Sequence, residues 1–119
     1  MKQKLKFPKN FLWGAATSAY QIEGGNNNTD WWAWEHSQKR MDYLRDRGKN
    51  PEDYFSGIAC DFWNRFDEDF ALAQHLNHSA ARIGLEWSRV EPKQGVFDEQ
   101  ALDHYEKIFQ SAKLEQHKK

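Results

Sequence analysis

Residues 80–87, Ala-Ala-Arg-Ile-Gly-Leu-Glu-Trp, decide the fold. The run is short, mostly apolar and without a helical stripe, so it reads as a strand. Pro92 and Gly95 mark a turn after it. Upstream, Phe62, Phe66, Phe70, Ala73 and Leu76 recur at spacings of three and four, which predicts a helix over 61–77. Asp67, Glu68 and Asp69 lie mostly on its other side. Downstream, Asp98 is a candidate N-cap, with Phe97 and Leu102 placed for a hydrophobic staple. Ala101, Leu102, Tyr105, Ile108, Phe109 and Ala112 then form the stripe of a second helix over 98–115.

Towards the N-terminus, residues 11–20 (Phe-Leu-Trp-Gly-Ala-Ala-Thr-Ser-Ala-Tyr) read as a first, buried strand running into a tight turn. Residues 24–60 are polar and read as a long loop, with Gly24-Gly25, three consecutive Asn, Gly48 and Pro51. A short helix is expected near 31–40. The order is thus strand, long loop, helix, strand, loop, helix. Two consecutive βα units predict an α/β fold with a parallel sheet. Ligands of such sheets bind at the carboxyl ends of the strands, here 18–23 and 86–89.

The chain has 119 residues, enough for one small domain and too few for a complete (β/α)8 barrel of roughly 200–250. Seventeen Lys and Arg against 18 Asp and Glu give a net charge of −1, which excludes nucleic-acid binding driven by bulk positive charge. No run approaches the roughly 18 apolar residues of a membrane helix. Lys2, Lys4 and Lys6 precede an apolar run, 11–16, that is shorter than an export segment, so no targeting signal is read. Asn27-Asn28-Thr29 and Asn77-His78-Ser79 match the glycosylation acceptor pattern but mean nothing without export. Cys60 is the single cysteine. No internal disulfide is possible, and a reducing, cytoplasmic location is expected. Its expected role is that of a small buried hydrophobe.

Several residues at the expected strand ends carry polar chemistry. Glu23 and Glu86 are candidates for the paired carboxylates of glycoside hydrolysis by position alone. The structural alternatives are that Glu23 ties down a turn and that Glu86 pairs with Arg82 or Arg89. Arg82 sits in an apolar strand, where it either meets a carboxylate inside a barrel or faces water at a sheet edge. Gln21 offers a donor and an acceptor, which suits vicinal sugar hydroxyls or, equally, a turn's backbone. Trp31, Trp32 and Trp34 form either an aromatic wall or the packed underside of their own loop. His75 and His78 are three apart on the expected helix but lack a third ligand, so no metal is expected. No phosphate loop, zinc-spacing cysteine set or nucleophile elbow occurs, and no cofactor is implied.

The stretch Phe11-Leu12-Trp13-Gly14-Ala15-Ala16-Thr17-Ser18-Ala19-Tyr20-Gln21-Ile22-Glu23-Gly24 resembles the N-terminal signature of glycoside hydrolase family 1, the β-glucosidase family. Ala81-Arg82-Ile83-Gly84-Leu85-Glu86-Trp87-Ser88-Arg89-Val90-Glu91-Pro92 is similar to that family's second barrel strand and its exit. The helix 62–76 and the Phe97-Asp98-Glu99 start fall where the family has them, so the likeness runs from Phe7 to about Ala112.

The resemblance implies the first two βα units of a (β/α)8 barrel and the chemistry of retaining β-glycosidases, with a glutamate nucleophile and a glutamate acid/base. It implies that Gln21 binds glycone hydroxyls and that Arg82 stands beside the nucleophile. Trp87, Ser88 and Arg89 would support the top of the second strand, and Trp31, Trp32 and Trp34 would border the cleft. The family's Thr-x-Asn-Glu-Pro and Thr-Glu-Asn-Gly motifs, which carry the two glutamates, do not occur; Asn50-Pro51-Glu52 has the letters in the wrong order and place. The expected partner is therefore a β-linked sugar in a longer protein, with no nucleic acid and no membrane. The 119-residue chain alone is expected to be inactive and poorly stable, and to self-associate or complement a second chain carrying the remaining strands. The other expectation is an inactive, weakly carbohydrate-binding module.

Overall fold

The computed structural model describes residues 4–116. Strand β1 (Gly14–Ala16) pairs in parallel with β2 (Ala80–Arg82), in the register Gly14 to Ala80, Ala15 to Ala81 and Ala16 to Arg82. The helices are α1 (Ala19–Ile22), α2 (Asp30–Glu35), α3 (Gln38–Arg45), α4 (Phe62–His75), α5 (Trp87–Val90) and α6 (Glu99–Gln116), with a 3₁₀ turn at Pro51–Tyr54. Two strand–helix units therefore follow one another, β1 to α4 and β2 to α6.

Both strands are shorter than residues 11–20 and 80–87. A two-stranded ladder lasts only while both chains run side by side. The Trp13 carbonyl accepts from the Ser79 and Ala80 N–H groups, and the Thr17 N–H donates to the Arg82 carbonyl at 3.0 Å. Past Thr17 the backbone turns into α1, and β2 has no further partner among the described residues. Gly14 is required within the ladder because a Cβ there would stand 2.1 Å from the Ala80 carbonyl oxygen.

The segment 24–60 is not an open loop. Thr29 caps α2 by accepting from the Trp32 N–H at 3.0 Å, and Ser37 caps α3 by accepting from the Arg40 N–H at 3.3 Å. The short helix expected near 31–40 is thus two helices broken at Ser37. Gly48, at φ +67°, ends α3 and donates its N–H to the Arg45 carbonyl at 2.8 Å. Asn50 then caps the 3₁₀ turn, with Pro51 at its first position.

Helices α4 and α6 pack against each other, and Ile83, just past β2, reaches their core; β1 itself is exposed, not the buried strand expected over 11–20, because its three residues lie outside that core. Phe62, Phe70, Val90, Tyr105 and Ile108 form the buried cluster, joined by Ile22, Trp63, Phe66, Ile83 and Ala112. Leu76, placed on the expected stripe, is exposed because α4 ends at His75 and Asn77 turns the chain at φ +62°. His75 and His78 consequently do not share one helix. Asp98 does cap α6, accepting from the Gln100 and Ala101 N–H groups at 2.9 and 3.1 Å. Phe97 is exposed and meets the Trp87 ring at 6.4 Å.

Side chains alternate across a strand, so Arg82 points to the face opposite Ile83, away from α4 and α6. That face is bare. The radius of gyration is 18.7 Å, whereas a compact chain of this length has about 13–14 Å. The molecule is a plate, 56 × 46 × 23 Å.

Gly24 carries a backbone requirement that can be tested. It has φ +85°, and a Cβ there would lie 2.2 Å from the Ile58 carbonyl oxygen. Gly48 has a similar φ but nothing within 4 Å of a Cβ. Gly24→Ala is expected to cost about 3 kcal/mol, from strain plus a backbone clash, and Gly48→Ala about 1 kcal/mol from strain alone. Equal losses in urea denaturation would contradict this.

Candidate sugar-site corner

The two strands open at the same end, where α1 follows β1 and α5 follows the extended residues 83–86. Gly84 makes this close approach possible, since a Cβ there would already touch Ala19 N at 3.4 Å. Glu23, just past α1, is 1% exposed and is the hub of the corner. Its Oε1 accepts from the Tyr105 hydroxyl at 2.7 Å. Its Oε2 accepts from Arg89 Nε at 3.0 Å and from Asn26 Nδ2 at 3.3 Å. Arg89 Nε also donates to Asn26 Oδ1 at 2.6 Å, and its terminal NH2 donates to the Gly24 carbonyl. The guanidinium lies 4.0 Å over the Trp63 ring, and His104 stacks on that ring at 4.0 Å. Burial, and then the Glu23 carboxylate, push the Tyr105 phenol up from its ordinary pKa.

Glu23 therefore does more than tie a turn. It binds α1 to α5 and α6 through an ion pair and a phenol. Glu86 pairs with neither Arg82 nor Arg89. Its side chain caps α5, accepting from the Ser88 hydroxyl and N–H at 3.0 and 3.3 Å. Its own N–H donates to the Tyr105 oxygen at 2.8 Å. Both carboxylates that position alone offered for hydrolysis are thus committed to holding the corner together.

A second buried carboxylate, Glu35 of α2, holds the Trp-rich segment. It accepts from the Tyr20 hydroxyl at 2.9 Å, the Ser56 N–H at 3.0 Å and the Ser56 hydroxyl at 2.7 Å. Burial opposes its ionisation, but the hydrogen bonds from Ser56 and Tyr20 outweigh burial and hold its pKa below the ordinary carboxylate value. Burial, then Glu35, pushes Tyr20 up to about 12.

Two pH limbs follow. The lowered Glu35 stabilises the fold above its unfolded pKa, and this is lost as pH falls through the lower folded value. The raised Tyr20 keeps its proton in the folded state, so its contribution is intact below pH 10 and is lost as pH rises towards about 12. Glu35→Gln is expected to remove the first limb and Tyr20→Phe its share of the second. Urea midpoints across pH 3–5 and 9–12 read both; unchanged slopes would count against the network.

Gln21 sits in α1, two residues before Glu23, with an exposed side chain that hydrogen-bonds to none of the described residues; its backbone is engaged, the N–H donating to the Ser18 carbonyl and the carbonyl facing the Cys60 thiol. Arg82, at the end of β2, is also exposed, and no carboxylate among the described residues pairs with it. Trp31, Trp32 and Trp34 form no single wall. Trp31 and Trp34 meet edge-to-face at 5.6 Å, with Trp31 stacked on Tyr20 at 6.5 Å. Trp32 stacks on His36 at 4.1 Å, and His36 on Phe55. Helical spacing separates them, since residues 31 and 34 share a face that 32 leaves.

The Trp32 stack lines a cavity of about 250 Å³ with Tyr20, Asn26 and Ser56. A groove of about 810 Å³ runs past Trp63, Arg89 and His104. Gln21 and Arg82 lie outside both, on open surface. Cys60 is exposed rather than buried, its thiol 4.0 Å from the Gln21 carbonyl, because positive φ at Ala59 and Asp61 swings the chain outward before α4. No helix is long and apolar enough to cross a membrane, and no three potential metal ligands converge, among the described residues.

Sequence reasoning missed Tyr105, which read only as part of a stripe, and also Tyr20, Asn26, Glu35 and Trp63. The available signal was chemical, since a phenol on a buried stripe needs a partner for its hydroxyl.

Comparison with known proteins gives the family of the chain. Glycosyl hydrolase family 1 matches over residues 3–118. The chain is 30% identical over 111 residues to beta-glucosidase A of Acetivibrio thermocellus, covering 88% of this chain and 23% of that protein. It is 38% identical over 107 residues to the aryl-phospho-beta-D-glucosidase BglC of Bacillus subtilis, covering 86% and 21%. The solved beta-glycosidase from Pyrococcus horikoshii superposes with a TM-score of 0.72 at 37% identity, covering 95% of this chain and 24% of that one. The chain spans about a quarter of the length of these relatives. It belongs to glycosyl hydrolase family 1, to whose N-terminal portion it corresponds.

Proposed function

We propose that this chain supplies one corner of the glycone subsite of a retaining β-glycosidase built on a (β/α)8 barrel, with β1 and β2 as its first two strands. It contributes neither catalytic glutamate. The Gln21 amide donates to and accepts from sugar hydroxyls. Arg82 stands beside the nucleophile supplied by the rest of the barrel and favours its ionised form. Trp31 and Trp34 border the outer cleft. The observation that carries this reading is selective commitment. At the open end of the parallel pair Glu23, Asn26, Glu86 and Arg89 are all engaged with one another, with Ser88 or with the backbone, whereas the side chains of Gln21 and Arg82 hydrogen-bond to none of the described residues. The partner is the remainder of the barrel, as a second chain or a longer product. The unpaired outer edges of the two strands and the bare Arg82 face support this.

The test is reconstitution with the unmatched three quarters of the Acetivibrio thermocellus relative, using an aryl β-glucoside. Hydrolysis is expected to appear on mixing. Gln21→Ala should lower kcat/KM about 10- to 1,000-fold, as expected for lost hydrogen bonds that strengthen in the transition state. Reconstituted activity indifferent to Gln21→Ala would overturn the assignment.

A further inference from the structure

Helix α1 has four residues, and its N-cap Ser18 makes no side-chain cap bond. So short a helix does not hold its own direction. Its flanks are held by side chains from elsewhere. On one side Tyr20 donates to the buried Glu35, which Ser56 grips with two further hydrogen bonds. On the other side Glu23 is gripped by Arg89, Asn26 and Tyr105. Gln21 lies between the two clamps, and its side chain bonds to none of the described residues. Tyr105 also accepts from the Glu86 N–H, four residues past Arg82, so one phenol spans both strand exits.

We infer that Tyr20 and Tyr105 are positioning residues for Gln21, Tyr105 also setting the strand exit that carries Arg82 relative to it. This rests on the reading of Gln21 as a sugar contact. Each phenol fills a gap between a carboxylate and a second element. Phenylalanine keeps the ring and loses only the bridge.

The experiment is NMR on the labelled 119-residue chain titrated with methyl β-D-glucopyranoside. Gln21→Ala is expected to weaken the saturable shift at least tenfold. Tyr20→Phe and Tyr105→Phe should each weaken it about 3- to 10-fold, with the spectrum otherwise dispersed as in the unaltered chain. Gln21→Ala combined with Tyr20→Phe should bind no more weakly than Gln21→Ala alone, because that phenol acts through Gln21. Phe variants that bind like the unaltered chain, or losses that multiply, overturn the inference.

If the unaltered chain shows no saturable shift, or Gln21→Ala binds equally well, the sugar-contact reading fails instead. The clamp is then judged on the protein alone. Tyr105→Phe must move the Gln21 and Glu86 backbone amides and speed Glu86 hydrogen exchange about tenfold. Unchanged amides overturn it.

Discussion

Incubated with an aryl β-glucoside, the purified 119-residue chain is expected to release the aglycone no faster than buffer does. Retention needs two carboxyl groups about 5–5.5 Å apart across the scissile bond, one to attack and one to move the proton. The motifs that carry them in the family are absent from the sequence. The carboxylates at the strand ends, which could otherwise substitute, are engaged elsewhere. Glu23 is 1% exposed and spent on Arg89 and Tyr105, and Glu86 is spent on the α5 cap. Losing nucleophile and acid/base together costs on the order of a million-fold in rate, and bound sugar contacts alone do not restore it. Turnover by clean protein that disappears in Gln21→Ala would refute this.

Glu23→Ala is expected to produce the largest loss of stability of any single side-chain truncation in the corner, about 3 kcal/mol. Breaking a buried pair leaves an uncompensated charge, here Arg89 at 21% side-chain exposure. The same change removes the acceptor of the hydroxyl of Tyr105, a residue 2% exposed, and one partner of Asn26. Glu23→Gln keeps an acceptor for Tyr105 and should cost less. The control is Asp42→Ala, which breaks an ion pair with Arg45 at 3.1 Å whose side chains are more than half exposed; about 0.5 kcal/mol or less is expected. Urea denaturation distinguishes these, and equal effects of Glu23→Ala and Asp42→Ala would remove Glu23 from the centre of the corner. A plate this open has little stability in reserve, so the Glu23→Ala transition is expected to broaden as well as shift.

Much of the architecture was legible because it rests on local spacing. The stripe of Phe62, Phe66 and Phe70 and that of Ala101, Tyr105 and Ile108 mark α4 and α6, and both meet the core. Asp98 signalled the start of α6 by cap chemistry alone. The same chemistry was present in Thr29, Ser37, Gly48 and Asn50-Pro51, yet 24–60 read as a loop. Its helices are short, and in α2 exposed tryptophans break the stripe, so periodicity had too few turns to register.

Local spacing thus marked α4 and α6 and the order in which the two strand–helix units run; Arg82 does end β2, whereas Gln21, expected at a strand end, lies in α1. Tertiary structure decided what each polar group there does. Glu23 finds Arg89 across 66 residues and Tyr105 across 82, and Tyr20 finds Glu35 and through it Ser56. Such pairings depend on burial and on which chains lie side by side, neither of which leaves a periodic trace along the chain. The result is a corner in which buried carboxylates lock the frame, while the Gln21 and Arg82 side chains stay exposed and bond to none of the described residues.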